Sequence, residues 1–89
     1  MNNNTDTIWT TARVLDLTGL KCPMPALLTE KALRGMAGGE LVAVIVTDPL
    51  APLDLRYMCQ KGGHDLECER LNENGARQLL IRCGPRDQM

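Results

Sequence analysis

Lys21-Cys22-Pro23-Met24-Pro25 sets a thiol beside a lysine and directly ahead of two prolines. Pro23 suits the first turn of a helix, where a missing N–H costs little, so Cys22 is expected at a helix N-terminal edge. Unpartnered backbone N–H groups there carry partial positive charge and favour a thiolate over a thiol. The help is modest, because a helix end supplies about 0.3–1 kcal/mol, roughly half a pKa unit. An exposed Lys21 adds a little more. A slightly acidified thiol is therefore expected, and it suits sulfur exchange, where the best attacking thiol has a pKa near ambient pH. The plainer reading makes Cys22 a helix cap. Ser, Thr, Asp or Asn would cap better, so the residue type favours reactivity.

The other three thiols read as packing. Cys22, Cys59, Cys68 and Cys83 are separated by 37, 9 and 15 residues, and no C-x-x-C pair exists. A zinc site needs closer ligand pairs, and the single His64 cannot supply the missing ones, so no metal is expected. No oxidising compartment is indicated, so no disulfide framework is expected either. Free Cys is among the most buried residue types, which fits Cys59, Cys68 and Cys83. His64 reads as a strand-opening surface residue rather than a base for Cys22. Asp48 reads as a loop anchor or helix cap. Asp54 and Arg56 read as a solvated face and are assigned no chemistry. Gly38-Gly39 and Gly62-Gly63 follow helical patterns, so they are stops and not phosphate cradles. No cofactor is expected.

The elements that must position the thiol are short. Arg13 to Leu17 is β-branched and aliphatic and ends at Thr18-Gly19, which reads as a strand and a turn. From Pro23 a helical period takes over, with Met24, Leu27, Leu28, Ala32 and Met36 on one stripe and Gly38-Gly39 as its stop. Glu40 to Thr47 is apolar on both faces, as suits a central strand covered on part of each side. After Asp48-Pro49, a second helix runs from about Pro52 to Lys61, with Leu53, Tyr57 and Met58 inward and Gly62-Gly63 as terminator. His64 to Leu71 alternates, Asn74-Gly75 signals a hairpin, and the following segment alternates again. A turn centred there sets Cys68 opposite Ile81 and Glu67 opposite Arg82. Leu66, Cys68, Leu79 and Ile81 should then pack beneath the helices, with Glu67, Glu69 and Arg82 in solvent.

The order is β-α-β-α-β-β, a parallel crossover followed by an antiparallel hairpin. The expected fold class is an α/β (α+β) two-layer sandwich, a four-stranded mixed sheet with two helices on one face. The Asn/Thr-rich residues 1–10 are expected to form a flexible N-terminal tail. Residues 11–85 are expected to form a single domain.

Composition narrows the function. Eighty-nine residues make one domain with one thin core, and 44% hydrophobic with 24% charged residues is a globular balance. Ten basic against eleven acidic side chains give a net charge of −1, which argues against a broad nucleic-acid surface. Trp9 and Tyr57 are the only aromatics, too few for a base-stacking platform. The longest apolar run, Leu41 to Val46, is too short to span a bilayer, and the polar start has no apolar signal core. A cytoplasmic protein without direct nucleic-acid or membrane partners is expected.

The stretch from Leu15 to Pro25, L-D-L-T-G-L-K-C-P-M-P, resembles the signature of the TusA/SirA-like sulfur carrier (sulfurtransferase) family, whose C-P-x-P motif opens the first helix. Val46 to Leu66, V-T-D-P-L-A-P-L-D-L-R-Y-M-C-Q-K-G-G-H-D-L, is similar to that family's second strand, D-P turn, second helix and G-H entry to the third strand. The resemblance runs from Leu15 to about Cys83. It implies a two-layer sandwich similar to the C-terminal domain of a bacterial translation initiation factor. It also implies sulfur carried as a persulfide on the motif cysteine. The implied donor is a cysteine desulfurase or a rhodanese-like protein, and the implied recipient is a downstream acceptor protein. Uses of such sulfur include tRNA thiolation, molybdenum-cofactor maturation and sulfur oxidation. Carried over residue by residue, Cys22 is the implied persulfide bearer, with Pro23 and Pro25 as its rigid frame. Lys21 stands beside it, and Met24 fills the variable slot.

Three functional readings follow. The first is a sulfur-transfer protein acting through Cys22. The second is a non-catalytic regulatory or docking module in which Cys22 has no chemistry. The third is an RNA-binding domain, which rests on fold analogy alone and is opposed by the charge balance. A carrier needs one unusually alkylation-prone thiol, a docking module needs none, and an RNA binder needs salt-dependent affinity for RNA.

Overall fold

The structure, a computed structural model, describes residues 4–85. Its elements are α1 (Asn4–Thr11), β1 (Arg13–Asp16), α2 (Met24–Arg34), β2 (Leu41–Val46), α3 (Ala51–Gly62), β3 (Asp65–Leu71) and β4 (Arg77–Arg82). From β1 onward this is the expected β-α-β-α-β-β order. The four strands form one mixed sheet in the order β1-β2-β4-β3. β1 pairs parallel with β2, as a crossover through α2 requires, and β4 runs antiparallel to both β2 and β3. Helices α2 and α3 share one face, where Leu33, Leu55 and Cys59 meet Val42, Val44, Val46, Leu79 and Ile81 in one buried cluster.

The opposite face departs from the expected tail. Asn4–Thr11 is helical, and Trp9 and Ala12 close over Ala43 and Leu80 in a second small core. The physical reason lies in the strands: β2 is apolar on both sides and β4 adds Leu80 to the same far face, and water-facing Ala43 and Leu80 would lose hydrophobic stabilisation. An indole is a large apolar cover, and the Arg70 guanidinium lies over its ring at 4.0 Å from the centroid. Residues 1–3 of the expected tail lie outside the described residues.

Both sheet-covering helices are rotated relative to their expected stripes, although Leu28, Met36 and Met58 do lie in or against the core as expected. On α2 the buried positions are Pro25, Thr29 and Leu33, while Met24 and Leu27 are 42% and 52% exposed. On α3 they are Ala51, Pro52, Leu55 and Cys59, and Leu53 and Tyr57 are each 61% exposed. Each helix carries two apolar stripes, and period alone does not say which meets the sheet. On α3 the small side chains at i and i+8, Ala51 and Cys59, flank Leu55 and let the helix approach the sheet closely, so this stripe wins over Leu53 and Tyr57. The first of these helices also stops earlier than expected. Gly35 caps α2, its N–H donating to the Ala32 carbonyl at 3.1 Å, ahead of Gly38-Gly39. Gly63, at φ 78, ends α3 as expected.

The hairpin closes at Asn74-Gly75 as expected. Asn72 Oδ1 accepts from the N–H groups of Asn74 (2.9 Å) and Ala76 (3.0 Å), and Gly75 takes φ 86. The register, however, is broken between Leu66 and Cys68. Leu66 pairs with Ile81, yet Cys68 pairs with Leu80 and Glu69 with Leu79. One extra residue, Glu67, bulges out and flips every side chain after it. Leu66, Leu79 and Ile81 therefore pack beneath the helices as expected, but Cys68 turns to the Trp9 side. Glu69 turns the other way and is not in open solvent. It pairs with Arg56 of α3 at 2.7 Å and with Arg77 at 3.5 Å. Glu67 still meets Arg82, at 3.0 Å.

Candidate functional site

The loop from β1 to α2 is tied down before it reaches Cys22. Thr18 donates its N–H (3.0 Å) and its hydroxyl to the Asp16 carboxylate, and these bonds hold that carboxyl below its usual pKa. Gly19, at φ 84, makes the turn that a side chain would strain, and its N–H donates to Thr47 Oγ1 at 2.9 Å. The Cys22 N–H then donates to Asp48 Oδ2 at 2.7 Å. Asp48 is thus the loop anchor that its position after β2 suggested. The Cys22–Pro23 peptide is cis. Pro25, buried in the first turn of α2, locks the other side of the motif.

Cys22 itself is exposed, and so are Lys21 and Pro23. Its thiol donates a hydrogen bond to the Asp54 carboxylate, carried by the first turn of α3. This contact corrects the reading of Asp54 as part of a solvated face only, since it sets the carboxylate against the thiol. It also reverses the expected acidification. The hydrogen bond to Asp54, then burial, then the charges of Asp54 and Asp48 push the Cys22 thiol above its ordinary value. The helix end offers less compensation than expected. The Met24 N–H already donates to Lys21 O (2.8 Å), and Pro23 and Pro25 have no N–H to give. No sequence pattern marks Asp54, because its neighbour in space lies 32 positions away.

The thiol stands at the mouth of a groove of about 620 Å³ between α2 and α3. Ala26, Leu27, Tyr57 and Met58 supply apolar wall, and Glu30, Asp54, Lys61 and His64 supply charge or polarity. His64 is half-buried in that wall and is more than a strand opener. Its Nδ1 accepts the Gly84 N–H at 2.8 Å, which places the proton of a neutral ring on Nε2. The backbones of Gly84 and Gly63 touch there, since a Cβ on Gly84 would sit 2.1 Å from the Gly63 carbonyl oxygen. Among the described residues, no group of three or more His, Cys, Asp or Glu side chains could hold a metal ion.

Cys59 and Cys83 are buried, as expected, and Cys68 is half-buried under Trp9. Burial, with a smaller contribution from the Asp65 charge, pushes the Cys59 thiol up to about 11. A consequence for stability follows from linkage. An acid raised in the folded state keeps its proton while the unfolded chain loses it, so stability falls as pH rises from 9.0 toward about 11. The expected loss across that window is roughly 2–3 kcal/mol. Urea unfolding at stepped alkaline pH should show it, and Cys59→Ala should flatten the slope. An unchanged slope in Cys59→Ala would mean that another group titrates there.

A two-helix layer over a four-stranded mixed sheet, with an exposed thiol on a tied loop, defines a small α+β domain. The family model described as sulfurtransferase TusA matches residues 13–83, all but α1 of the described elements. A sulfur carrier protein TusA of Pseudomonas putida strain W619 is 40% identical over 76 residues, which are 85% of this chain and 94% of that protein. A relative in Neisseria meningitidis serogroup B is 46% identical over 71 residues, 80% of this chain and 95% of that protein. The crystal structure of a SirA-like protein from Desulfitobacterium hafniense matches with a TM-score of 0.70 and 30% identity, over 80% of this chain and 96% of that one. The chain belongs to the TusA family, and its role is that of a sulfur carrier. Among the described residues no helix is long and apolar enough to cross a membrane.

Proposed function

We propose that Cys22 is the sulfur bearer and that the protein acts as a sulfurtransferase, taking sulfur from a persulfide donor and handing it to an acceptor protein. The observation that carries this reading is the exposed Cys22 thiol, fixed through its own N–H and framed by Pro23 and Pro25 at the mouth of an open groove. In the loading step the Cys22 sulfur attacks the outer sulfur of the donor persulfide. A sulfur–sulfur bond forms at Cys22, the donor's breaks, and the donor leaves as a thiolate that takes up the proton Cys22 gave away. No net oxidation or reduction occurs. Discharge repeats the step with Cys22 as the leaving thiol.

A cysteine desulfurase or a rhodanese-like protein is the donor class whose persulfide fits this chemistry, and the cytoplasm is the reducing compartment in which free thiols persist. tRNA thiolation, molybdenum-cofactor maturation and sulfur oxidation remain the candidate destinations. The exposed apolar side chains near the thiol, Met24, Leu27 and Tyr57, suit a protein that must dock on larger partners. An exposed Lys21 next to Cys22 in the chain would favour an anionic partner group.

The test is direct. Incubated with a cysteine desulfurase and cysteine without reductant, the protein should gain the mass of one sulfur atom on the peptide that contains Cys22. Absence of any gain from both a desulfurase and a rhodanese donor would overturn the reading and favour a non-catalytic docking module.

A further inference from the structure

Asp54 hydrogen-bonds the proposed sulfur-bearing atom, and no pattern in the sequence assigns it a task. α3 presents it there for a packing reason: it precedes Leu55, which is fully buried against the sheet and leaves the carboxylate little freedom to turn elsewhere. The other titratable groups of the groove and its loop come from every neighbouring element. Asp48 approaches from the loop after β2, Glu30 from α2, Tyr57 and Lys61 from α3, and His64 from the turn into β3. Lys21 adjoins Cys22 in the chain. The two groups hydrogen-bonded to Cys22 are both carboxylates, so the immediate field at sulfur is negative.

We propose that Asp54 makes Cys22 a ready giver of sulfur, by favouring the neutral thiol of the unloaded protein over the anionic persulfide of the loaded one. The inference rests on Cys22 being the sulfur bearer. A persulfide is a stronger acid than its parent thiol, so near neutral pH the loaded sulfur is an anion while the unloaded one keeps its proton. Exchange with a small persulfide reads Cys22–SH + R–S–S⁻ ⇌ Cys22–S–S⁻ + R–SH. One sulfur–sulfur bond forms and one breaks, the Cys22 proton passes to the departing thiol, and nothing is oxidised. Loading therefore removes the hydrogen bond to Asp54 and sets a second negative charge beside its carboxylate. Both changes oppose loading and favour discharge. The raised thiol pKa has the same origin and the same sign.

The experiment compares wild type, Asp54→Asn and Asp54→Glu, each equilibrated with glutathione persulfide and glutathione, trapped by alkylation and read by intact mass. At mildly alkaline pH, Asp54→Asn should raise the loaded-to-unloaded ratio by roughly two- to fivefold, the range of an exposed charge contact. The gain should shrink as the buffer is acidified and the persulfide becomes neutral, and Asp54→Glu should stay near wild type. A second measurement needs no sulfur donor: the pH profile of iodoacetamide alkylation at Cys22 should move to lower pH in Asp54→Asn. Equal ratios in wild type and Asp54→Asn, or a change independent of pH, would overturn the role of Asp54 while leaving the carrier reading intact. A wild type that takes up no sulfur would instead overturn the carrier reading, and this inference with it.

Discussion

Cys22→Ser is expected to keep the fold and to lose sulfur uptake entirely. The fold should survive because Cys22 is exposed and its structural contribution is made by its backbone, whose N–H still reaches Asp48. A serine hydroxyl can also donate to Asp54 in place of the thiol. Uptake should vanish because an alcohol has no accessible anion near neutral pH and does not displace a thiolate from a persulfide. None of the other thiols can substitute: Cys59 and Cys83 are buried, and Cys68 lies on the opposite face beneath Trp9. The measurement is the mass of the protein after incubation with a desulfurase and cysteine, with circular dichroism as the check on folding. A folded Cys22→Ser that still gains one sulfur would remove Cys22 from the site.

Leu55→Ala is expected to have the largest effect on stability, a loss of about 2–5 kcal/mol. Leu55 is 0% exposed and belongs to the cluster that joins α3 to Val42, Val44, Val46, Leu79 and Ile81. Truncation leaves a cavity that neighbours on strands cannot move to fill, so the transfer and cavity costs add. Urea unfolding should show a lower midpoint with little change in slope. The contrast is Leu53→Ala, two positions earlier and 61% exposed, which should cost little. Comparable losses at both positions would mean that α3 faces the sheet differently from the arrangement described.

The legible part of this protein was what local chemistry dictates. The turn residues Gly19, Gly63 and Gly75 and the break at Asp48-Pro49 set where elements end, because backbone sterics act within a few residues. Apolar periodicity then sorted strands from helices, and the order β-α-β-α-β-β left few topologies open. The motif around Cys22 was legible for the same reason, since Lys21, Pro23 and Pro25 adjoin it in the chain. The C-P-x-P pattern also pointed to the family now shown.

Tertiary structure decided what depends on distance in space rather than in sequence. Which apolar stripe of α2 and α3 meets the sheet was settled by how closely a helix can approach, so Leu33, Leu55 and Cys59 went in and Leu27, Leu53 and Tyr57 stayed out. A single bulge at Glu67 exchanged the faces of Cys68 and Glu69, because alternation carries a parity that one extra residue inverts. The polar-looking start became α1 because a sheet with two apolar faces needs cover on both, and Trp9 could supply it. The charge state of Cys22 was decided last of all. Sequence placed it beside a lysine and a helix end, which favour the thiolate. The fold set it against the Asp54 carboxylate, and a hydrogen bond to a charged acceptor outweighs a helix end where the Met24 N–H is already bonded and Pro25 has none to give.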